Sequence, residues 1–580
     1  SECLAPSSGP AGHLLPDGEK RGRGDARKRD KVIMINRMER RWTLAAGALC
    51  LGGILLFVCL AAAALLAFDE PGSANDGVLF DAYVWRVARF TLLQASLSAL
   101  LSILFAIPVA RALARQAAFP GRVWIIRLMA LPLGLPALVA ALGLIGIWGR
   151  QGVLNTALVA VGLDQPVSIY GLSGILVAHV FFNMPLAARL MLGGLERIPG
   201  EYWLVGANLG MRPVSIFRFI EWPVIRGLLP GIAGLIFMLC ATSFTLVLTL
   251  GGGPAASTIE VAIYQALRFD FDPPRAIALS MLQISVTAAL LIAIRLLTPT
   301  ADEGHGGGRK VRRFDGRSRF GRVGDGLVIV LAVLFLALPL GSVVSSGLRA
   351  DLVKLASDPM VQRALLTSIV IALASGLLCV LSAALMIRAR QAALSSRRPA
   401  VFLRGLSAGI FASSSLVLLV PPVVLGAGWF LLLRPLGDVA RFAPLLVILI
   451  NTLMALPFVY RVLEPAMATH TARTARLAVS LGLGGWHRWR LIDWPGLRRP
   501  LLMALSFACA LSLGDLGAVA LFGSQDMVTL PWLLYSRMAG YRSTDAAGLA
   551  LFLGLVCLVL TIAGTPRAGA DDTRSKDVTA

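Results

Sequence analysis

The sequence predicts an all-α membrane protein of about 12 transmembrane helices, arranged as two repeated six-helix halves. Three observations carry this. Of 580 residues, 57% are hydrophobic and only 15% charged, with a mean hydropathy of +0.76, whereas about a quarter of an ordinary soluble chain is charged. The apolar residues are gathered into runs of about 20, the length a helix needs to cross a bilayer. One pattern also occurs twice: Gly210 precedes Pro223 with Glu221-Trp222 just before the proline, and Gly482 precedes Pro495 with Asp493-Trp494. The copies lie 272 residues apart (Gly210 and Gly482), and the same offset relates Pro185 to Pro457 and Ser96 to Ser368. Several landmarks in one register mark an internal repeat.

Taken in order, residues 1–41 are polar and rich in Gly, Arg and Lys, which predicts a disordered basic N-terminal tail. Position 1 is not Met, and Met34 or Met38 stands nearer a start. The first apolar run is too long for a secretory signal. The first repeat covers 42–297, with spans at 42–67, 91–110, 123–148, 172–192, 227–250 and 276–297. A basic cytoplasmic linker, 298–325, leads to the second repeat at 326–566. Its spans are 326–344, 365–386, 409–433, 445–462, 501–522 and 547–562, and 567–580 form a C-terminal tail.

The net charge of +22 does not point to nucleic acid, because Lys and Arg flank the apolar runs instead of forming one basic face. Their distribution sets an orientation. The loop with Arg111, Arg115, Arg122 and Arg127 is basic, as are loops 193–226 and 463–499 and the linker with Lys310, Arg312 and Arg313. Residues 69–83 carry Asp69, Glu70, Asp76 and Asp81 without Lys or Arg. Alternation then puts both termini and both Gly–Pro loops in the cytoplasm.

Bond-making chemistry is not evident. Gly306-Gly307-Gly308-Arg309-Lys310 lacks the Ser or Thr of a phosphate-binding loop and follows no strand. The five His and seven Cys have no metal-ligand spacing, and His179, inside an apolar span, suits hydrogen bonding between helices. The expectation is a chain that is not an enzyme, with no catalytic residue, metal or cofactor. If it transports, energy comes from a partner that binds ATP or from an ion gradient.

The repeated loops have the physics of a docking element. Pro199 can open a short helix and Gly210 can end it; Arg212-Pro213 restarts the chain and Pro223 closes it before the next span. The second copy breaks at Gly482, Gly484 and Gly485 and closes at Pro495. Arg212, Phe217, Arg218 and Phe219 in one, and Trp486, His487, Arg488, Trp489 and Arg490 in the other, are expected to be exposed. Such a broken amphipathic helix suits a groove on a soluble partner. The same residue types also suit a helix lying on lipid headgroups.

Gly210, Phe217 and Pro223, with Gly482, Trp489 and Pro495, resemble the cytoplasmic "EAA" loop of binding-protein-dependent ABC importer permeases. The acid that opens the family's motif is absent, since Leu204 and Arg476 stand there. The chain resembles the fused two-copy permeases of that family, those of thiamine importers above all. The closer likeness lies in residues 83–90, 178–185, 251–272, 514–523 and 540–545. The resemblance implies a type I importer fold in a bacterial inner membrane and a translocation pathway for thiamine and its phosphates. It also implies that those six loop residues couple to an ATP-binding cassette ATPase, in two copies, and that a periplasmic solute-binding protein delivers the solute. Ferric iron, an anion or a polyamine are alternative solutes; an ion-coupled secondary transporter is the alternative machine.

Within the spans, Asp515 is the clearest candidate for the substrate pathway, because an ionisable group there costs roughly 2.5 to 3.5 kcal/mol to insert. Gly514 and Gly517 flank it and allow the helix to unwind. Phe244, Tyr264 and Tyr535 could add cation–π contact to a cationic ring. Asp515 serves equally well as part of a packing or gating network. Thr258 and Tyr264, and Thr529 and Tyr535, hold matching places in loops 251–275 and 524–544, which the resemblance places at the outer gate.

Overall fold

The computed structural model describes residues 37–67, 81–162, 167–297, 313–316, 318–395, 400–416, 420–523, 527–540 and 542–564. The predicted tails, most of the linker and most of the acidic loop at 69–83 lie outside them. Among the described residues there are helices and no strand. Eleven of the helices among the described residues are long and apolar enough to cross a membrane. Their outward faces carry large apolar side chains such as Leu49, Leu56 and Leu104, as contact with lipid tails requires.

The first half contains α1 (Arg37–Ala67), α2 (Ala82–Arg115), α3 (Ala137–Trp148), α4 (Leu172–Leu195), α5 (Gly200–Asn208), α6 (Trp222–Ala241), α7 (Ile259–Arg268) and α8 (Pro273–Leu297). The second contains α9 (Arg319–Leu348), α10 (Pro359–Leu394), α11 (Val401–Leu416), α12 (Pro422–Leu433), α13 (Ala443–Ser480), α14 (Trp494–Gly514), α15 (Leu530–Ala539) and α16 (Ser543–Gly564).

Four predicted spans are not single helices. The run 123–148 divides at Pro132 and Pro136; the ring of Pro136 holds Leu135 extended, at ψ 131°. The run 227–250 breaks after Ala241, where Thr242 donates its hydroxyl to the Met238 carbonyl at 2.9 Å. The run 409–433 is shared between α11 and α12, neither long enough to count among the eleven, with Pro421-Pro422 opening the second. The run 501–522 ends at Asp515, which takes an extended ψ of 125°. Hydropathy sees each of these as continuous because proline and a lone acid barely change a windowed mean.

The first helix of each half crosses over. α1 packs on α10 and α12, whereas α9 packs on α2 and α3. Small residues allow the close approach: a Cβ on Gly47 would meet Ala389 at 2.1 Å, and one on Gly143 would meet the Pro339 carbonyl at 2.5 Å. The Trp429 indole donates to the Phe57 carbonyl at 3.2 Å across the same seam.

Polar contacts between spans repeat as well. His179 on α4 bonds Ser98 on α2 at 2.9 Å; in the second half Asn451 on α13 and Ser375 on α10 both meet Ser512, at 2.8 and 2.9 Å. The structure corrects one sequence landmark. Thr91, not Ser96, does what Ser368 does: each hydroxyl accepts the first backbone N–H of a short helix, α7 from Ile259 at 3.0 Å and α15 from Leu530 at 2.8 Å. Ser96 lies exposed on the opposite face of α2. Identical residue type at the expected offset had masked a register shift between the second spans.

Candidate functional site

Each Gly–Pro loop is built by the same three backbone devices. α5 and α13 both end in a glycine at positive φ, Gly210 at 60° and Gly482 at 62°. The Gly210 N–H reaches the Ala207 carbonyl (3.1 Å) and Met211 reaches Gly206 (3.0 Å); Gly482 and Leu483 repeat this with Val479 and Ala478 at 3.2 and 3.0 Å. These are the paired bonds of a Schellman cap. The chain then re-enters a short helical turn, at Pro213–Ile216 or Gly485–Arg488.

Next comes a π-helical turn, Phe217–Glu221 or Trp489–Asp493, that runs directly into α6 or α14. Its cause is the proline. Pro223 and Pro495 have no N–H to offer, so the preceding Trp222 and Trp494 N–H groups reach back five residues, to the Phe217 and Trp489 carbonyls. The prolines therefore open the span helices; they do not close off the loop as the sequence suggested. Proline in the first turn of a helix costs no bond, which is why the chain stays helical there.

Both acids beside these prolines are buried and bound to an arginine. Glu221 is 0% exposed and accepts from Arg111 Nε at 2.5 Å and from Arg313. Arg313 also grips Asp315 at 2.7 Å and lies 4.0 Å above the Trp203 ring. Burial works against the Arg313 charge, but Asp315 and Glu221 outweigh it and hold the guanidinium above its ordinary pKa. Asp493 accepts from Arg388 at 2.9 Å and from His470 at 3.2 Å.

Some expected exposures differ. Phe217, Arg488 and Trp489 are half-buried. Phe217 lies 4.4 Å beneath the Arg111 guanidinium, and Trp489 stacks on Trp486 at 4.7 Å, so these residues brace the loop from within. What each loop does present is a matched apolar triad: Leu209, Val214 and Phe219 are 71%, 77% and 64% exposed, and Leu481, Trp486 and Leu491 are 59%, 65% and 60% exposed. The members correspond one to one along the repeat. Sequence reasoning expected Phe219 and Trp486 to be exposed but missed the other four members, although the constant spacing of five residues was available.

Of the four pathway candidates, Asp515 and Phe244 come from breaks in the spans, and Tyr264 and Tyr535 lie on α7 and α15. Asp515 sits in the gap after α14 and accepts from the Gly517 and Ala518 N–H groups at 3.1 and 3.3 Å, capping the short helix Gly517–Phe522. Phe244 stands in the corresponding gap after α6, near Gly517, and meets Tyr264 edge to face at 5.3 Å. Tyr264 is 2% exposed. Tyr535 is half-buried on α15.

A second acid lies one turn before Tyr264: Glu260, on α7, is 0% exposed and its two oxygens have no hydrogen-bond partner among the described residues. An acid one turn from Tyr264 in an otherwise apolar heptapeptide was the signal that could have found it. Among the described residues no group of His, Cys, Asp and Glu could hold a metal.

No family model matches the chain. Among curated proteins, it is 50% identical over 528 residues to the thiamine transport system permease protein of Brucella abortus (strain 2308), covering 90% of this chain and 96% of that protein. With the Escherichia coli (strain K12) protein of the same name it shares 44% over 531 residues, 90% and 97% of the two chains. A molybdenum transport system permease protein of Mycobacterium bovis matches at 30% over 212 residues, 35% of this chain and 76% of that one. With its helical, multi-pass architecture, the chain belongs to the family of thiamine transport system permease proteins.

Proposed function

We propose that this chain is the membrane-spanning subunit of an ATP-driven importer and forms the path by which thiamine and its phosphates cross the inner membrane. The observation that carries this reading is the pair of matched loops. Each offers three exposed apolar side chains on a rigid, capped turn whose acid is tied to an arginine from the second span. A protein surface with two such copies, related by the internal repeat, fits two copies of one soluble subunit. The chain supplies no phosphate-binding loop, so ATP hydrolysis belongs to that partner, an ATP-binding cassette ATPase. A solute-binding protein docks on the opposite face, which is the periplasmic one if the basic loops and both termini are cytoplasmic.

Asp515 and Glu260, with Phe244, Tyr264 and Tyr535 around them, form an acidic, aromatic setting between the halves. It suits a cationic aromatic ring, which gains both charge and cation–π attraction. The test is uptake into vesicles containing this chain, its ATPase and its binding protein. ATP-dependent uptake of thiamine, lost in Asp515→Asn and Glu260→Gln at unchanged membrane abundance, is expected. Uptake of ferric iron, an anion or a polyamine instead would replace the solute. Uptake driven by an ion gradient without the ATPase would replace the machine by a secondary transporter.

A further inference from the structure

Each Gly–Pro loop has two arms, the helix that enters it and the π-helical turn that leaves it, and the angle between them sets where the exposed triad points. In the second half the arms are joined within the loop itself. His470 on the entering helix, α13, bonds Asp493 of the turn at 3.2 Å, and Arg388 on α10 adds a bond at 2.9 Å. In the first half the acid of the turn, Glu221, has no bond to α4 or α5 among the described residues. It bonds Arg111 on α2 and Arg313, which comes from the stretch between the two halves.

Arg313 touches both arms. Its guanidinium lies 4.0 Å above the Trp203 ring on α5 and bonds Glu221 in the turn. Asp315 takes two bonds from the same guanidinium, at 3.1 and 2.7 Å, and so fixes its plane. The side chains of Glu221 and Asp315 are 0% exposed and that of Arg313 is 6% exposed. With Arg111 they form a chain of alternating charge, Arg111–Glu221–Arg313–Asp315, in which each charge has an opposite neighbour. Charges taken this far from water need such pairing. The flanking residues hold the stretch in place. Phe314 lies 3.7 Å from where a Gly206 Cβ would sit, and the Gly316 carbonyl accepts from Gln116 at 3.2 Å. α9 begins three residues later, and its Asp325 bonds Arg115 and Gln116.

A covalent tie between two halves requires none of these buried charges. We propose that residues 313–316 are a working part of the first loop. Arg313 is a positioning residue that sets the angle between the arms, so that docking of the ATPase on the first loop, and not on the second, depends on the linker. The geometry shows how it acts. Trp203 stands on the helix that ends at Leu209, and Glu221 ends the turn that carries Phe219, so a side chain that joins Trp203 to Glu221 fixes Leu209 relative to Phe219. The second loop carries its own brace in His470–Asp493 and has no need of the linker.

The inference rests on the reading of both loops as docking elements, and the second loop separates its failure from the failure of that reading. The test is photo-crosslinking to the ATPase in the complex of the full chain, with benzoylphenylalanine in place of Phe219 or of its counterpart Leu491. Adducts from both positions establish docking. Arg313→Ala should then lower the first-loop adduct by about fivefold or more, the worth of roughly one lost hydrogen bond, and leave the second-loop adduct unchanged. Because Arg313→Ala strands the buried Asp315, the double variant Arg313→Ala, Asp315→Ala is made beside it. There Arg111 still neutralises Glu221, so the chain should reach normal membrane abundance and show the same one-sided loss. Arg313→Lys, which keeps the charge but not the planar fork, should recover part of the adduct. A first-loop adduct unchanged in both alanine variants, or an equal loss at the two loops, overturns the proposal. No adduct from either loop before Arg313 is altered removes the docking reading and the proposal with it.

Discussion

The first and second loops share a backbone and differ in how they are tied down. Both have the glycine cap, the π-helical turn, the acid–arginine pair and the exposed triad. Around the first, however, the acid is fully buried and held by two arginines, one of them from the far side of the linker. Around the second, the acid keeps about a tenth of its side chain exposed; it bonds Arg388, itself about a third exposed, and His470, with Arg488 farther off at 3.8 Å. The entry also differs. Pro199 breaks the chain before α5, whereas Thr471 at the matching position lets α13 run unbroken from the bilayer into the loop. What is common to the two loops is therefore what faces outward, and what varies is the scaffold behind it. A partner that reads both copies alike constrains the former and leaves the latter free.

The largest expected effect that separates the two is removal of the acid. Glu221→Ala leaves Arg111 without its buried counter-charge and Arg313 with Asp315 alone, a loss of about 3 to 5 kcal/mol. Asp493→Ala, nearer solvent, should cost about 1 kcal/mol. Thermal unfolding of the two purified variants checks this, and equal losses would mean that the difference in burial has no energetic content. Trp203→Ala, which removes the ring beneath Arg313, should cost about 2 kcal/mol. The smallest effect concerns the π-helical turn. Pro223→Ala and Pro495→Ala restore an N–H that lets the turn relax to α-helix, shifting the triad with a stability change of under about 1 kcal/mol. Here the readout is ATPase binding, expected to weaken while unfolding stays put.

The architecture was legible because bilayer length and a repeated Gly–Pro spacing are one-dimensional signals, written into residues such as Gly210, Gly482, Pro223 and Pro495. The helix breaks were not. Asp515 and Thr242 interrupt spans through local hydrogen bonds that a hydropathy window averages away. The register shift that pairs Thr91 with Ser368 needed three dimensions, since the misleading Ser96 had the right type at the right offset. Glu260 and Arg313 belonged to segments read as loop and linker, and only packing buries the one near Tyr264 and sets the other against Glu221. The loops proposed to dock could be located from the sequence, but the orientation of their side chains could not: Phe217 and Trp489 brace the fold, and Phe219 and Trp486 are exposed.

The central claim is that these two loops dock equivalent partners, and it is tested most directly at the glycine caps. A Cβ at Gly210 or Gly482 meets nothing within 4 Å, so a substitution there strains the backbone without filling space. Val at a φ near +60° costs on the order of 1 to 3 kcal/mol, enough to redirect the loop and weaken a complex tenfold or more. The measurement is co-purification of the ATPase with Gly210→Val, Gly482→Val and the double variant, with membrane abundance followed alongside. Each single variant should lose much of the bound ATPase and the double variant nearly all, at normal abundance. Full ATPase binding and full transport by all three would show that these loops are not the coupling elements.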